Sequence, residues 1–272
     1  MKKSILVIGA TGKQGNAVVK QLLHEGWQVR AYTRNKQNDK LTTIKHKNLE
    51  IFEGDLGNLD SLKQAMEDQF GVYSVQPIIL DNVTEEIRQG KMIINTAYQQ
   101  GIEHIIYSTA GGVNRNRTGP HFEALAQIEN ELQNSPLNYT IIKPAFFMDN
   151  FLRIITVEDG VIYIPEFINK AVKFAMISSI DIAKIAAHIF KNTKQFNHRA
   201  IEIASDERTL EEVVKTFATV TGKPAQIKGS YSSGTAEREW LEDKGYEIDF
   251  NQMENINPQQ LSLQQWIDKA GF

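Results

Sequence analysis

The chain carries 272 residues with 30 Lys and Arg against 33 Asp and Glu, a net charge of −3, and no cysteine. The length supports one large domain, or a nucleotide-binding domain with a smaller partner. The charge leaves no basic footprint for nucleic acid or anionic membrane, and the missing cysteine excludes disulfides, thiolate nucleophiles and cysteine metal sites.

The first residues run straight from Met1–Ser4 into a short apolar stretch that ends in a glycine turn. It is neither a signal peptide nor a membrane helix, so a cytoplasmic protein with no membrane contact is expected. The strand reads Ile5–Gly9, and GATGKQG follows as Gly9–Gly15, through Ala10, Thr11, Lys13 and Gln14. A helical pattern over Gly12–Glu25 then sets Ala17, Val18, Val19, Leu22 and Leu23 largely on one face. In this context Gly9 permits a sharp strand exit, Gly12 lets backbone N–H groups approach a pyrophosphate, and Gly15 lets the helix pack closely. The helix N-terminus faces the anion with free N–H groups and partial positive charge.

Further strands read at Gln28–Thr33, Leu49–Glu53, Val72–Gln76, His104–Ser108 and Tyr139–Lys143. Helical patterns separate them at Leu59–Asp68, Val83–Gln100 and His121–Gln133. Alternation of this kind predicts an α/β fold, a Rossmann doubly wound parallel sheet with helices on both faces. Its ligands bind beyond the carboxyl ends of the strands, where strand order reverses. Residues 1–150 are read as this domain. Beyond Asn150 come a short strand at Val161–Pro165, a helix from Ser178 to about Phe190, and a strand at Ala200–Ala204. A Thr209–Glu212 capping box opens a helix that ends near Gly222. An amphipathic stretch follows at Leu261–Ile267. Residues 151–272 read as a smaller mixed α/β lobe over the cleft, with some elements free to rejoin the sheet.

Dinucleotide-binding strands that select NAD end in an acid on the ribose hydroxyl. Here the second strand runs instead into Arg34 and Lys36. Arg34 offers a planar fork for a 2′-phosphate and Lys36 a second charge, which favours NADP(H) over NAD(H); as a pair they also suit a solvated basic loop. Asp55, followed by Leu56, fits an adenine contact or a turn.

The chain resembles the NmrA-like family of atypical short-chain dehydrogenases, nearest its NADPH-sensing branch. The likeness runs through GATGKQG, VRAYTRN, EGDLGN, Gln89–Lys91, IIYSTA, Tyr139–Phe151 and the closing INPQQLSLQQWI. It implies pyrophosphate contacts at Gly9–Gln14, 2′-phosphate contacts at Arg34 and Lys36, and adenine contacts at Asp55 and Leu56. It adds Gln76 and Pro77 at the fourth strand end, Lys91 on the next helix, and Phe147, Met148, Asp149 and Asn150 at the nicotinamide end. The apolar members of that last group also suit packing between the lobes.

Short-chain dehydrogenases use Tyr-x-x-x-Lys on one helical face, the Lys lowering the Tyr pKa. By the resemblance His121 stands at the Tyr position and Leu125 at the Lys position, and leucine tunes no pKa. The strings Tyr32–Lys36 and Tyr139–Lys143 lie on or beside strands, where the spacing of about 13 Å separates the pair. No catalytic residue is assigned outright. His121 could donate a proton or decorate a helix start, and Ser108 and Thr109 could bind a carbonyl or satisfy backbone at the strand end. The six histidines show no metal-ligand spacing. The favoured expectation is an NADP(H)-binding redox sensor acting through conformation or a protein partner, with Gly111–Gly119 as a candidate mobile loop. The alternative is an NADPH-dependent oxidoreductase acting on quinones or similar small aromatic acceptors, with Phe146, Phe147, Phe151, Trp240 and Tyr246 suited equally to stacking a flat substrate and to packing the core.

Overall fold

A computed structural model describes residues 3–79, 81–230 and 235–272. The first half runs β1 (Ser4–Ile8), α1 (Lys13–His24), β2 (Gln28–Thr33), α2 (Asp39–Thr42), β3 (Leu49–Glu53), α3 (Leu59–Met66) and β4 (Gly71–Val75). It continues through α4 (Val83–Gln99), β5 (His104–Ser108), α5 (Pro120–Gln133) and β6 (Tyr139–Pro144). The second half begins with β7 (Phe146–Phe147), a 3-10 turn at Met148–Asn150, α6 (Phe151–Ile154), β8 (Thr156–Glu158), β9 (Val161–Glu166), β10 (Lys173–Ile177), α7 (Ser179–Lys191) and α8 (Thr193–Phe196). The last elements are β11 (Arg199–Ile203), β12 (Asp206–Thr209), α9 (Leu210–Thr221), β13 (Ala225–Ser230), α10 (Thr235–Asp243), α11 (Phe250–Ile256) and α12 (Leu263–Ala270).

The main sheet has seven parallel strands in the order β11-β6-β5-β4-β1-β2-β3. β1 shows why its sequence is continuously apolar. Ile5 and Val7 enter the core under α1 and α7, while Leu6 and Ile8 enter the opposite core under α3, α4 and α5. A strand covered on both faces has no solvent side on which to place a polar residue. The chain winds from β1 to β2 and β3, then crosses back to β4, so strand order reverses between β1 and β4. A Rossmann-like sheet of this kind opens a crevice at that point. Two elements from beyond residue 150 belong to this layer, α7 against α1 and β11 at the sheet edge beside β6.

The second lobe holds two three-stranded sheets, β12-β10-β7 and β13-β9-β8. Its core gathers Phe151, Phe167, Phe174, Phe217 and Trp266. The Thr209–Glu212 capping box forms as read, and Gly222 closes α9 in the left-handed region. Among the described residues no helix is long and apolar enough to cross a membrane, and no group of three or more His, Cys, Asp or Glu could hold a metal ion.

Candidate functional site

The glycine turn stands between the carboxyl ends of β1 and β4. Gly9 has φ +78, and a Cβ there would fall 2.3 Å from the Val75 carbonyl oxygen on β4, so only glycine makes this exit. A Cβ on Gly15 would fall 2.2 Å from the Gly9 carbonyl oxygen. The close contact of α1 is therefore with the turn's own backbone rather than with the strand. Gly12 is different. It is exposed with φ −74, and a Cβ would meet only the Gly9 oxygen, at 3.3 Å. What glycine preserves at this position is open space in front of α1. That helix has no side-chain cap and no acid in its first turn, which leaves its orphan N–H groups and dipole for an anion.

On the β2 side, Arg34 lines a cavity of about 340 Å³ with Glu53, Gly54, Asp55, Asn58 and Ser61. Lys36 is exposed nearby and outside that lining. Asp55 makes the turn, accepting the Gly57 N–H at 2.6 Å, and it also lines the cavity. Leu56 packs partly buried onto the core beneath. Glu53 was not legible from the second strand because it comes from the third, in register with Thr33. Lys40 was also missed. Its Nζ donates to the Thr11 carbonyl at 3.0 Å and its own carbonyl accepts from Asn16 at 3.0 Å, so a further cation stands beside the turn.

At the other end of the crevice Gln14 is buried, and its Nε2 donates to both Tyr73 Oη and Ser108 Oγ. The amide supplies one proton to each hydroxyl, and Ser108 and Tyr73 also bond each other, so one hydroxyl hydrogen at most is left uncommitted. Burial pushes the Tyr73 phenol pKa up, and that group stays neutral. Thr109 is committed elsewhere: its hydroxyl donates to Glu129 Oε1 at 2.6 Å, and Lys143 Nζ lies 2.7 Å from Glu129 Oε2. Burial raises the Glu129 carboxyl above its usual range against the lowering effect of Lys143.

The residues implied by the family resemblance divide in the same way. Gln76 is buried, donating to the Glu86 carbonyl at 2.6 Å and accepting from Tyr107 Oη, while Pro77 is exposed beside it. Lys91 pairs with Glu131 of α5 at 3.1 Å. The segment 147–150 reaches the glycine turn, since Lys13 Nζ donates to the Asp149 carbonyl at 2.8 Å. Phe147 and Asn150 are partly buried, but Met148 is fully enclosed in the second lobe's core. The Asp149 carboxylate is engaged in capping α7 through Ser179, at 2.9 and 3.0 Å.

His121 Nδ1 lies 2.7 Å from Glu86 Oε1, and Leu125, one helical turn on, is buried. An orienting carboxylate for His121 therefore exists, 35 residues away in the chain. The loop expected to move is pinned instead. Arg115 meets Glu202 at 2.6 Å, Arg117 meets Glu237 at 2.7 Å, and Glu202 also accepts the Gly112 N–H at 2.8 Å. Trp240 and Tyr246 close over Gly111 and Gly112, and the Trp240 N–H bonds the Arg115 carbonyl at 2.9 Å. These rings cannot also stack a substrate. Phe146 stacks on Phe167 and Phe151 is buried, so Phe147 alone of the five is left partly exposed and unclaimed by a second-lobe ring stack.

With this geometry in place, comparison with known proteins decides the family. The profile of the NmrA-like family matches residues 1–268. The chain belongs to the NmrA-like family. An NmrA-like family domain-containing oxidoreductase of Aspergillus flavus is 26% identical over 252 residues, covering 84% of this chain and 75% of the relative. The solved structure of NmrA, a negative transcriptional regulator in complex with NADP, superposes with TM-score 0.83 at 16% identity, over 99% of this chain and 95% of that one. An NADPH-dependent quinone oxidoreductase of Escherichia coli, complexed with NADPH, gives TM-score 0.77 at 19% identity, over 98% and 99%. At these identities the two structures establish the shared NmrA-like fold.

Proposed function

We propose that this NmrA-like protein binds NADP(H), with NAD(H) the weaker ligand, and reduces flat conjugated acceptors such as quinones. One observation carries the reading. The carboxyl edge of the sheet holds an uncapped helix start and the Arg34 cavity on the β2 side, and the Gln14, Tyr73 and Ser108 polar cluster at the ends of β4 and β5 on the other. Bound cofactor supplies the hydride. The first N–H groups of α1 hold the pyrophosphate, and Arg34 forks the 2′-phosphate with Lys36 and Lys40 adding charge. Ser108 donates to a carbonyl oxygen, and Phe147 offers an apolar surface. Hydride transfer to an activated acceptor needs mainly proximity and orientation, so it proceeds without the Lys that Leu125 replaces. The name of the A. flavus relative and the quinone activity of the E. coli neighbour support this reading.

Leu125 favours a second reading, a sensor of NADPH that performs no turnover. Sensing requires two conformations with different cofactor affinity, and the loop latched by Glu202 is the element that would differ. Calorimetry with NADPH and NADH, followed by steady-state NADPH oxidation with a naphthoquinone and an aliphatic aldehyde, tests both. The reductase reading expects tighter NADPH binding and turnover of the quinone alone. Binding without any turnover would leave the sensor.

A further inference from the structure

We propose that His121 is the proton donor of the crevice, with Glu86 as the positioning residue that fixes its tautomer. The proposal rests on the reductase reading. Topology places both groups at the right end of the molecule. Helices α4 and α5 are crossovers between parallel strands, so their first turns lie at the carboxyl end of the sheet. Glu86 is in the first turn of α4 and His121 in that of α5, where Pro120 stands at the helix start. Glu86 is tied to the reversal point itself, because Gln76, just past β4, donates to its carbonyl.

The hydrogen bonds settle which ring nitrogen faces outward. Glu86 is 1% exposed; its Oε1 lies 2.7 Å from His121 Nδ1 and its Oε2 accepts the Ile79 N–H at 3.2 Å. A carboxylate only accepts, so Nδ1 carries the proton and Nε2 is the nitrogen left to exchange one. The His121 side chain is 20% exposed, open enough to be reprotonated from solvent. A second acid-base pair on α5, Glu129 with Lys143, lies two turns along the helix, about 12 Å from His121, and holds Thr109.

In the reduction, bound NADPH would supply the acceptor with a hydride, which carries both electrons. The acceptor oxygen takes the proton from Nε2–H of the imidazolium. The ring is left neutral with Nδ1–H on Glu86, and water returns the proton to Nε2. The hydride brings both electrons and Nε2 the one proton, so the reduction balances.

The test joins tautomer to turnover. In ¹⁵N-labelled protein without cofactor, neutral His121 is expected as the Nδ1–H form. Glu86→Gln offers one acceptor for two N–H groups, so keeping the Ile79 bond forces His121 to the Nε2–H form. His121→Gln, at a helix start that tolerates it, is expected to leave the NADPH dissociation constant within about twofold while lowering kcat for quinone reduction about 100-fold or more, with KM little changed. Glu86→Gln should lower kcat in the same direction, and if it fails to fold His121→Gln alone decides. An Nε2–H tautomer in the native protein, or an undiminished kcat in His121→Gln, overturns the proposal while leaving the reductase reading intact. NADPH binding with no turnover by the native protein overturns both.

Discussion

The three glycines of the turn make separable demands, and substituting them separates fold from cofactor. Gly12 is the helix N-cap with an ordinary φ and an open side, so Gly12→Val costs about 1 kcal/mol as a poorer cap. That is a change in Tm of about 2–4 °C for a protein of this size. The valine fills the space before α1, and losing two charge-assisted hydrogen bonds to a pyrophosphate weakens NADPH about 100-fold or more. Gly15→Ala does the reverse. Its Cβ would lie 2.2 Å from a backbone oxygen that cannot rotate away. Overpacking at the upper end costs about 3 kcal/mol, and the better helix propensity of Ala returns about 1. A net loss of about 2 kcal/mol lowers Tm by about 4–8 °C. Thermal unfolding followed by circular dichroism, with calorimetry of NADPH on the folded variants, checks both. A Gly12→Val protein that binds NADPH normally, or a Gly15→Ala protein as stable as the native one, refutes the reasoning.

Arg34→Ala should narrow the gap between NADPH and NADH affinity by about 1.5–3 kcal/mol, the value of a charged hydrogen bond; equal affinities in the native protein would remove the assignment. Burial, with His198 nearby, holds the His104 pKa down at about 4. His104 bonds Thr140 through Nε2 at 2.9 Å, and Nδ1 is buried without a partner. The folded value lies below the unfolded one, so the unfolded chain takes up a proton that the folded one refuses. Stability therefore falls as pH drops from about 6.5 to about 4, by about 3 kcal/mol in full. His104→Gln, which keeps a donor for Thr140, should flatten that part of a urea-unfolding series. Glu202→Ala releases Arg115 and the Gly112 N–H, and should cost about 3 kcal/mol while speeding tryptic cleavage after Arg115 and Arg117. Unchanged cleavage would mean that the latch is held elsewhere.

The first half of the fold was legible because its strands are buried on both faces and its helices carry strong periodicity. Ile5–Ile8 and the α1 face leave little choice of structure. The capping box at Thr209 was equally readable, being local in sequence. The second lobe was less so. β7 is two residues long and β12 is Asp206–Thr209, and strands that short carry no measurable alternation. The polar helices α10 and α11 owe their place to contacts with distant segments. The same limit applies at the site. Gly9–Gly15 and Arg34 announce themselves because their chemistry is contiguous, whereas the pairing of Glu86 with His121 and the contribution of Glu53 depend on sheet order. Trp240 and Tyr246 suit stacking and packing equally in sequence, because aromatic residues look alike there; the approach of Gly111 and Gly112 decides for packing.

The reductase reading is tested most directly by a single-turnover measurement, with protein in excess over NADPH and a naphthoquinone added to the preformed complex. The account predicts loss of the reduced-nicotinamide absorbance at a rate that rises with quinone concentration and then saturates, with no loss when an aliphatic aldehyde replaces it. NADPH that stays bound and unoxidised in the presence of every quinone tried would contradict it.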